Sequence, residues 1–412
     1  MRILKISDVY FPRVNGVSTS IRTFSHELLQ QGHEVTLVAP QYPNAFDDGF
    51  EILRVPSRYL FLDPEDRLMR RRALRRQLPE LRAGGYDVVH VHTPFAAHYA
   101  GLEIGRLLDL PVIETYHTYF EEYLDKYLTW LPRSALRYVA RRFSRSQCAA
   151  VDALVVPTQP MLDVLRGYGI RRRAEVIPTG IPDGAFSAGD GSRFRERHAI
   201  DPQREVMLYV GRVAHEKNID FLVEVVDRVR HARPSILLVI AGEGPAVKHL
   251  RELTAAKRLE EHVRFVGYLG REQDLPDCYA AADVFTFASR TETQGLVLLE
   301  AMQAGTPVVS TAVMGTAEVM ADRRGGLVAQ QDADDFAASV ERLLTDRQLR
   351  ERLAVEAVDK AAEWSAPATT SCLLELYRDC IGNSAATTDH GPTAVPLLTP
   401  EATSTVQRRN TP

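Results

Sequence analysis

The sequence predicts an α/β protein of two doubly wound, Rossmann-like domains facing a central cleft. Three observations carry this. Short apolar strand patterns alternate with longer helical patterns along most of the chain, as parallel sheets require. The alternation falls into two successive halves of similar size. Between them lies Pro178-Thr179-Gly180-Ile181-Pro182-Asp183-Gly184, a join rich in Pro and Gly. A length of 412 residues fits two or three domains.

The first half, residues 1–180, offers strands near 2–9, 34–39, 51–55, 86–92, 111–117, 151–157 and 174–178. Helical patterns between them include 17–31, 66–82 and 95–109. The second half, residues 181–363, offers strands near 205–211, 235–241, 263–267, 283–288 and 306–310. Its helices include 218–232, 245–258, 295–304 and 332–344. A last helix follows Trp364, over about 366–381 within a segment 364–382. Residues 383–412 are rich in Thr, Ala, Ser and Pro without a periodic apolar face, and read as a disordered tail.

Composition excludes several classes. The chain is 45% apolar and 25% charged, as ordinary soluble proteins are. It enters a strand pattern at Arg2-Ile3-Leu4-Lys5-Ile6, so a secretory leader is not expected. No apolar run reaches bilayer length. Cys148, Cys278, Cys372 and Cys380 are scattered and read as reduced thiols of a cytoplasmic protein, not a disulfide frame or zinc site. Residues 1–180 hold 24 Lys and Arg against 20 Asp and Glu, whereas the remainder holds 26 against 34. The basic half is therefore the one suited to an anionic partner.

The richest stretch is Ser289-Arg290-Thr291-Glu292-Thr293-Gln294-Gly295-Leu296-Val297-Leu298-Leu299-Glu300-Ala301-Met302. It joins a strand to a helix start that Thr293 or a neighbour can cap. The N–H groups of Gln294, Gly295 and Leu296 would then be unpaired at a positive helix end, an anion site. Glu292 lies just before that end and Glu300 about two turns inside, so one ligand with a phosphate at the end meets both acids through hydroxyls. A nucleotide sugar has that shape. Tyr209-Val210-Gly211-Arg212-Val213-Ala214-His215-Glu216-Lys217 leaves the carboxyl end of another strand, where such folds bind ligands. Fixed cations at Arg212 and Lys217 would stabilise a departing diphosphate; the plain alternative is a solvated loop. Glycines in Ile240-Ala241-Gly242-Glu243-Gly244-Pro245 and Arg264-Phe265-Val266-Gly267-Tyr268-Leu269 let a ligand approach the backbone, with strand–turn packing as the competitor. Asn15-Gly16 can turn tightly and aim helix amides into the cleft, or serve as a structural turn. It is not a dinucleotide fingerprint. His90, His92 and His98 are read as packing rather than metal ligands, because no convergent acid is identifiable. Asp332-Ala333-Asp334 reads as acids at a helix start.

Glu-x7-Glu followed by Ala-Met-x-Ala-Gly-Thr-Pro-Val-Val resembles the signature of retaining glycosyltransferases of family 4, which have the GT-B fold. The resemblance spans roughly residues 2–382. It implies that Glu292 contacts the donor sugar and Glu300 the ribose, while Arg212 and Lys217 hold the diphosphate. It places the base near main-chain groups around Val266. It makes His117, in Glu114-Thr115-Tyr116-His117-Thr118-Tyr119, the candidate for positioning donor and acceptor, with Gly16 beside the reacting end. It also implies a last helix crossing back to the first domain and no bound metal or other cofactor; the nucleotide sugar is a substrate.

Residues 126–151 carry six Lys and Arg and no acid. Arg133, Arg137, Arg141 and Arg145 form a slowly turning stripe, with Leu136, Val139, Ala140 and Phe143 as the apolar face and Trp130 and Leu131 before it. Residues 67–76 hold six more Arg. Basic amphipathic helices suit an anionic membrane surface, although a helix packed on the core with a solvated edge has the same pattern. Tyr-His-Thr, Tyr-Leu-x-x-Tyr and Leu-Pro-x-Ser within residues 114–149 resemble the acceptor region of bacterial 1,2-diacylglycerol 3-glucosyltransferases, as do Asn15-Gly16-Val17 and Thr-Glu-Thr-Gln-Gly-Leu. The implied function is transfer of a hexose, with UDP-glucose favoured, to diacylglycerol at the cytoplasmic face of the membrane. Another cell-envelope glycan or glycolipid is the alternative acceptor, and a GT-B UDP-sugar epimerase the more distant alternative. No nucleic-acid module is visible, so nucleic acid is not expected as a partner.

Overall fold

A computed structural model describes residues 1–44, 47–60, 63–117 and 132–387. The apolar runs of the first half build a parallel sheet of order β3-β2-β1-β6-β7-β8-β9. Its strands are β1 Arg2–Ile6, β2 Glu34–Pro40, β3 Glu51–Val55, β6 Val88–Val91, β7 Val112–Thr115, β8 Ala153–Val156 and β9 Ala174–Val176. A short antiparallel pair, β4 Ser57–Leu60 and β5 Asp63–Met69, sits outside it. The second half forms a parallel sheet of order β12-β11-β10-β13-β14-β15. These strands are β10 Val206–Val210, β11 Leu237–Ala241, β12 Val263–Gly267, β13 Val284–Phe287, β14 Val308–Ser310 and β15 Gly326–Val328. The expected pair of doubly wound sheets is therefore present.

Both faces of the first sheet are covered, which is why its strands read as continuous apolar runs. Leu4 and Ile6 join one core with Val89 and Val91; Ile3 points the other way, into a core with Phe24, Leu28 and Tyr377. Strand order reverses between β1 and β6 and again between β10 and β13. Ligands of such sheets bind outside the carboxyl ends at these switch points. The loops that follow β1 and β10 carry Gly16 and the segment from Gly211 to Lys217, and they face each other across the cleft.

Two chain crossings lie side by side between the halves. Ile181 N donates to Trp364 O at 2.8 Å, and Ala366 N donates to Ile181 O at 3.0 Å. A side chain at Gly180 would overlap the Ala366 backbone, so this crossing requires glycine. The helix Ala366–Thr387 then lays Leu373, Leu376, Tyr377 and Cys380 against the first sheet's core. It is longer than expected: residues 383–387, placed above in the tail, are helical. The remaining tail, 388–412, lies outside the described residues.

A second correction concerns residues 67–76. The helix expected from 66 begins only at Arg71 (Arg71–Ala83), because Tyr59 and Arg67 pair across β4 and β5. The six arginines are thus spread over a strand (Arg67), the residue that precedes the helix (Arg70) and the helix itself. Arg67 Nη1 donates to Gln41 O at 3.0 Å, and its guanidinium lies 4.9 Å from the centre of the Tyr42 ring.

Lys5 breaks the apolar pattern of β1. It is fully buried, and its Nζ donates to Ser25 Oγ at 3.1 Å. Burial lowers its pKa from 10.5 to about 7. The unfolded chain thus holds this proton between pH 7 and 10.5 where the folded chain has lost it, so native stability rises with pH across that window. Lys5→Met is expected to raise stability at pH 7 by roughly 2–4 kcal/mol, a gain that shrinks toward pH 10. Urea midpoints of both proteins at the two pH values check this.

Candidate active site

A cleft of about 770 Å³ lies between the two sheets, lined from both halves. Its second-half wall is built on the segment after β13. Gly295 sits at the N-cap of the helix Leu296–Gln303 with φ 90°, a conformation that disfavours any side chain. The expected cap at Thr293 is not made; the helix has no side-chain cap. The turn is held from behind instead. Gly315 N donates to Glu292 O at 2.9 Å, and a side chain at Gly315 would overlap the Thr293 backbone. Gly295 and Leu296 line the cleft at the amino end of this helix, where the first amides lack intrahelical partners.

Glu292 and Glu300 both face the cleft, in different states. Glu292 Oε2 lies 2.6 Å from Lys217 Nζ, and both side chains are about one-fifth exposed (22% and 20%). Glu300 is buried. Its Oε1 accepts from Arg271 Nη2 at 2.6 Å and its Oε2 from Tyr279 OH at 2.8 Å. Burial, then the charge of Glu300, holds the Tyr279 phenol far above its usual pKa, so it stays protonated and donates. Arg271 also lines the cleft and spreads over the Phe186 ring at 5.6 Å. Sequence reasoning missed Arg271: it stands in a polar turn, Gly270-Arg271-Glu272, with no local signal.

Arg212 and Lys217 project from the loop after β10. Tyr209 stacks on Phe287 with the rings 5.9 Å apart and donates its OH to Arg212 O at 3.1 Å. The glycines of the next loop serve the packing alternative, and Gly242 also lines the cleft. Gly242 (φ 136°) lies against the Gly211 carbonyl and Gly244 (φ 156°) against that of Val213, where side chains would overlap. Val213 N donates to Glu243 O at 2.9 Å and Ala246 N to Val213 O at 3.0 Å. The glycines thus let one loop pack on the other. Val266 sits on β12, half-buried against the core of the second half, and Tyr268 and Leu269 just beyond it line the cleft.

The opposite wall carries Gly16 and His117. Asn15 caps the helix Gly16–Gln30: its side chain accepts from Ser18 N at 2.9 Å, and Ser18 Oγ accepts from Asn15 N at 2.9 Å. A side chain at Gly16 would meet no atom within 4 Å, so the space there is open to a ligand. His117 closes a stack of buried histidines. Its Nε2 is 3.4 Å from His92 Nδ1, with the rings 26° apart. His92 stacks on His90, which bonds Tyr377 OH at 2.6 Å and Thr115 Oγ1 at 2.7 Å. Part of the His117 ring reaches the cleft, yet desolvation pushes its pKa down to about 4, so it is neutral at physiological pH. His98 pairs with Glu114 at 2.9 Å in the core. Asp332 caps the helix Ala333–Thr345, accepting from Asp334 N and Asp335 N, as acids at a helix start should.

The Gln294 side chain has a task besides the one expected of its backbone. It accepts from Thr179 N at 2.9 Å and donates to Thr179 O at 2.6 Å, clamping the join between the halves. Only its backbone is left to face a ligand.

The arginine stripe lies elsewhere. Arg133 opens the helix Arg133–Ala150; Arg137, Arg141 and Arg145 are exposed and line a separate open groove of about 800 Å³. Arg141 stacks on Tyr168, and Arg145 donates to the Tyr168 carbonyl. Leu136 and Ala140 are buried, but Val139 is 54% exposed beside Tyr138 at 65%, so Val139 does not belong to the apolar face. Trp130 and Leu131 lie outside the described residues.

Residues 190–359 match the family described as glycosyl transferases group 1, and residues 14–184 match glycosyltransferase family 4. The chain is 31% identical over 391 residues to an alpha-monoglucosyldiacylglycerol synthase of Streptococcus pneumoniae, covering 92% of this chain and 86% of that protein. Among solved structures, sucrose-phosphate synthase from Thermosynechococcus elongatus overlays with a TM-score of 0.74 at 20% identity, over 93% of this chain and 100% of that one. Anabaena HepE, in complex with UDP-glucose, overlays at 0.73 with 17% identity, over 92% and 100%. These likenesses support the two-sheet fold.

Proposed function

The chain belongs to glycosyltransferase family 4, and on that premise we propose that it moves glucose from UDP-glucose to diacylglycerol with retention, at an anionic membrane surface. One observation carries the donor reading: Arg212, Lys217, Glu292 and Glu300 converge on one cleft wall around the open amino end of a helix. A diphosphate seated there would take Lys217 away from Glu292. That exchange frees the Glu292 carboxylate to accept from sugar hydroxyls. A carboxylate has room for about four donors, and Arg271 and Tyr279 occupy two places on Glu300, which leaves acceptor capacity for ribose hydroxyls. As the sugar–phosphate bond breaks, charge grows on the diphosphate, where Arg212, Lys217 and the helix amides lie. The departing phosphate takes the acceptor's proton on the same face. Neutral His117, held by the stack behind it, borders the reacting end without bringing positive charge to a developing sugar cation.

The lipid acceptor rests on the exposed arginine face and on the kinship with a monoglucosyldiacylglycerol synthase. Among the described residues no helix is long and apolar enough to cross a membrane, so docking falls to surface charge and side chains such as Tyr138. The test is transfer of label from UDP-[14C]glucose into an organic-soluble product, with diacylglycerol in anionic vesicles. Lipid-phase label is expected. Its absence with several nucleotide sugars would sink the diacylglycerol reading and leave a water-soluble glycan as acceptor; interconversion of free UDP-sugars would mark an epimerase. Replacing Arg137 and Arg141 together by alanine should weaken vesicle binding by roughly 30-fold at low salt, at about 1 kcal/mol per basic side chain. Cosedimentation with anionic and neutral vesicles measures this, and equal binding to both by the parent protein would remove the electrostatic anchor.

A further inference from the structure

We propose that His215, Asp220 and His249 bind a divalent transition-metal ion that cross-links the loops after β10 and β11. Three different elements bring them together. His215 opens the short turn His215–Lys217, Asp220 lies in the first turn of the helix Ile219–Val229, and His249 lies on the helix Val247–Ala256. One ligand atom from each falls within 4.8 Å of the other two. The two imidazoles lie 5.4 Å apart. His249 Nε2 already shares a hydrogen with Asp220 Oδ1, so a cation has its place where that hydrogen sits. A surface His–Asp pair alone would not account for His215 as a third donor at the same spot. Metal–ligand bonds of about 2.0–2.2 Å require the hydrogen-bonded atoms of His249 and Asp220 to part somewhat and the His215 nitrogen to join them. His215 and His249 are exposed and can turn to allow this.

The donor set decides the metal class. Two imidazoles with one carboxylate suit zinc, cobalt or nickel, whereas magnesium and calcium prefer oxygen. Three protein ligands leave positions for water. None of the three residues lines the cleft, so this site is not part of the transfer machinery described above. Its consequence is mechanical. Lys217 follows His215 by two residues, and the backbone bonds Val213 N to Glu243 O and Ala246 N to Val213 O join the two loops. A metal would add a link through side chains and hold the turn bearing Lys217 in one position.

Cobalt titrated into chelator-stripped full-length protein supplies the test, read by visible absorption and calorimetry. One ion per chain is expected, with zinc displacing cobalt and magnesium failing to. His249→Ala and Asp220→Asn should each weaken binding by roughly 10- to 100-fold, without changing the far-ultraviolet circular dichroism. Hydrogen exchange should slow at amides 211–217 and 242–246 on adding cobalt to the parent protein, and not in His249→Ala. No binding, or binding that neither substitution weakens, would overturn the site. Binding lost in both variants but with unchanged exchange in the parent would overturn the cross-link.

Discussion

Lys217→Ala is expected to lower kcat by roughly 100- to 1,000-fold while changing the donor KM only a few-fold. A fixed cation acts on charge that grows as the sugar–phosphate bond breaks, so its loss is felt more in the transition state than in the bound donor. Without a donor, Lys217 is spent on Glu292 at 2.6 Å, an interaction a bound diphosphate must compete with. That competition makes the ground-state contribution of Lys217 small. The pair is about one-fifth exposed, so Glu292 left alone can be hydrated and the fold should persist, with a change in melting temperature of only a few degrees. Lys217→Arg keeps the charge but not the compact ammonium, and should recover part of the rate. Steady-state kinetics with UDP-glucose and diacylglycerol distinguish the outcomes. Parent-like kcat in Lys217→Ala would show that Lys217 only balances Glu292, and the leaving-group role would fall.

Much of this site was legible because its residues lie in short, contiguous segments at strand ends. Glu292, Gly295 and Glu300 share one strand–turn–helix unit, and Arg212 and Lys217 share one loop, so linear spacing carries most of the geometry. What escaped depends on distant chain. The side-chain amide of Gln294 meets the backbone of Thr179, 115 residues away, a contact that no local window shows. Gly242 and Gly244 are glycine because another loop presses on them, the packing alternative, although Gly242 also lines the cleft. The hairpin over β4 and β5 overrode a helical pattern because cross-strand pairing, invisible in a local window, fixed residues 63–69 as strand. Val139 illustrates a smaller error. The arginine repeat gave the helix, but the buried side runs through Leu136, Ala140 and Ser144, and Val139 turns away from it. Arg271, Tyr279 and the His90–Tyr377 link carried no signal, since each acquires its place only through tertiary contact.

Glu300→Ala should instead act on binding. Its carboxylate is placed to accept from ribose hydroxyls, and charged hydrogen bonds contribute about 1.5–3 kcal/mol each, so affinity for UDP should fall by roughly 100-fold, with kcat at saturating donor less affected. Stability complicates a simple alanine test. Removing the carboxylate strands the Arg271 guanidinium and the Tyr279 hydroxyl, both bonded to Glu300 and the latter fully buried. Losing one partner of a buried pair can cost about 3–5 kcal/mol; water reaching the partly exposed Arg271 should reduce this to roughly 1–3 kcal/mol. Glu300→Gln separates the two effects. Its amide oxygen can still accept from Tyr279, but its amide nitrogen, a donor, then faces the Arg271 guanidinium, so melting without ligand should fall, though by less than in Glu300→Ala. Affinity for UDP should drop by about tenfold, because a neutral acceptor makes weaker bonds to hydroxyls than a carboxylate does. Calorimetric titration with UDP, run beside melting curves with and without it, reads both quantities. A Gln variant with parent-like UDP affinity, together with an Ala variant that loses stability but not affinity, would make Glu300 a purely structural anchor for Arg271 and move ribose recognition elsewhere in the cleft.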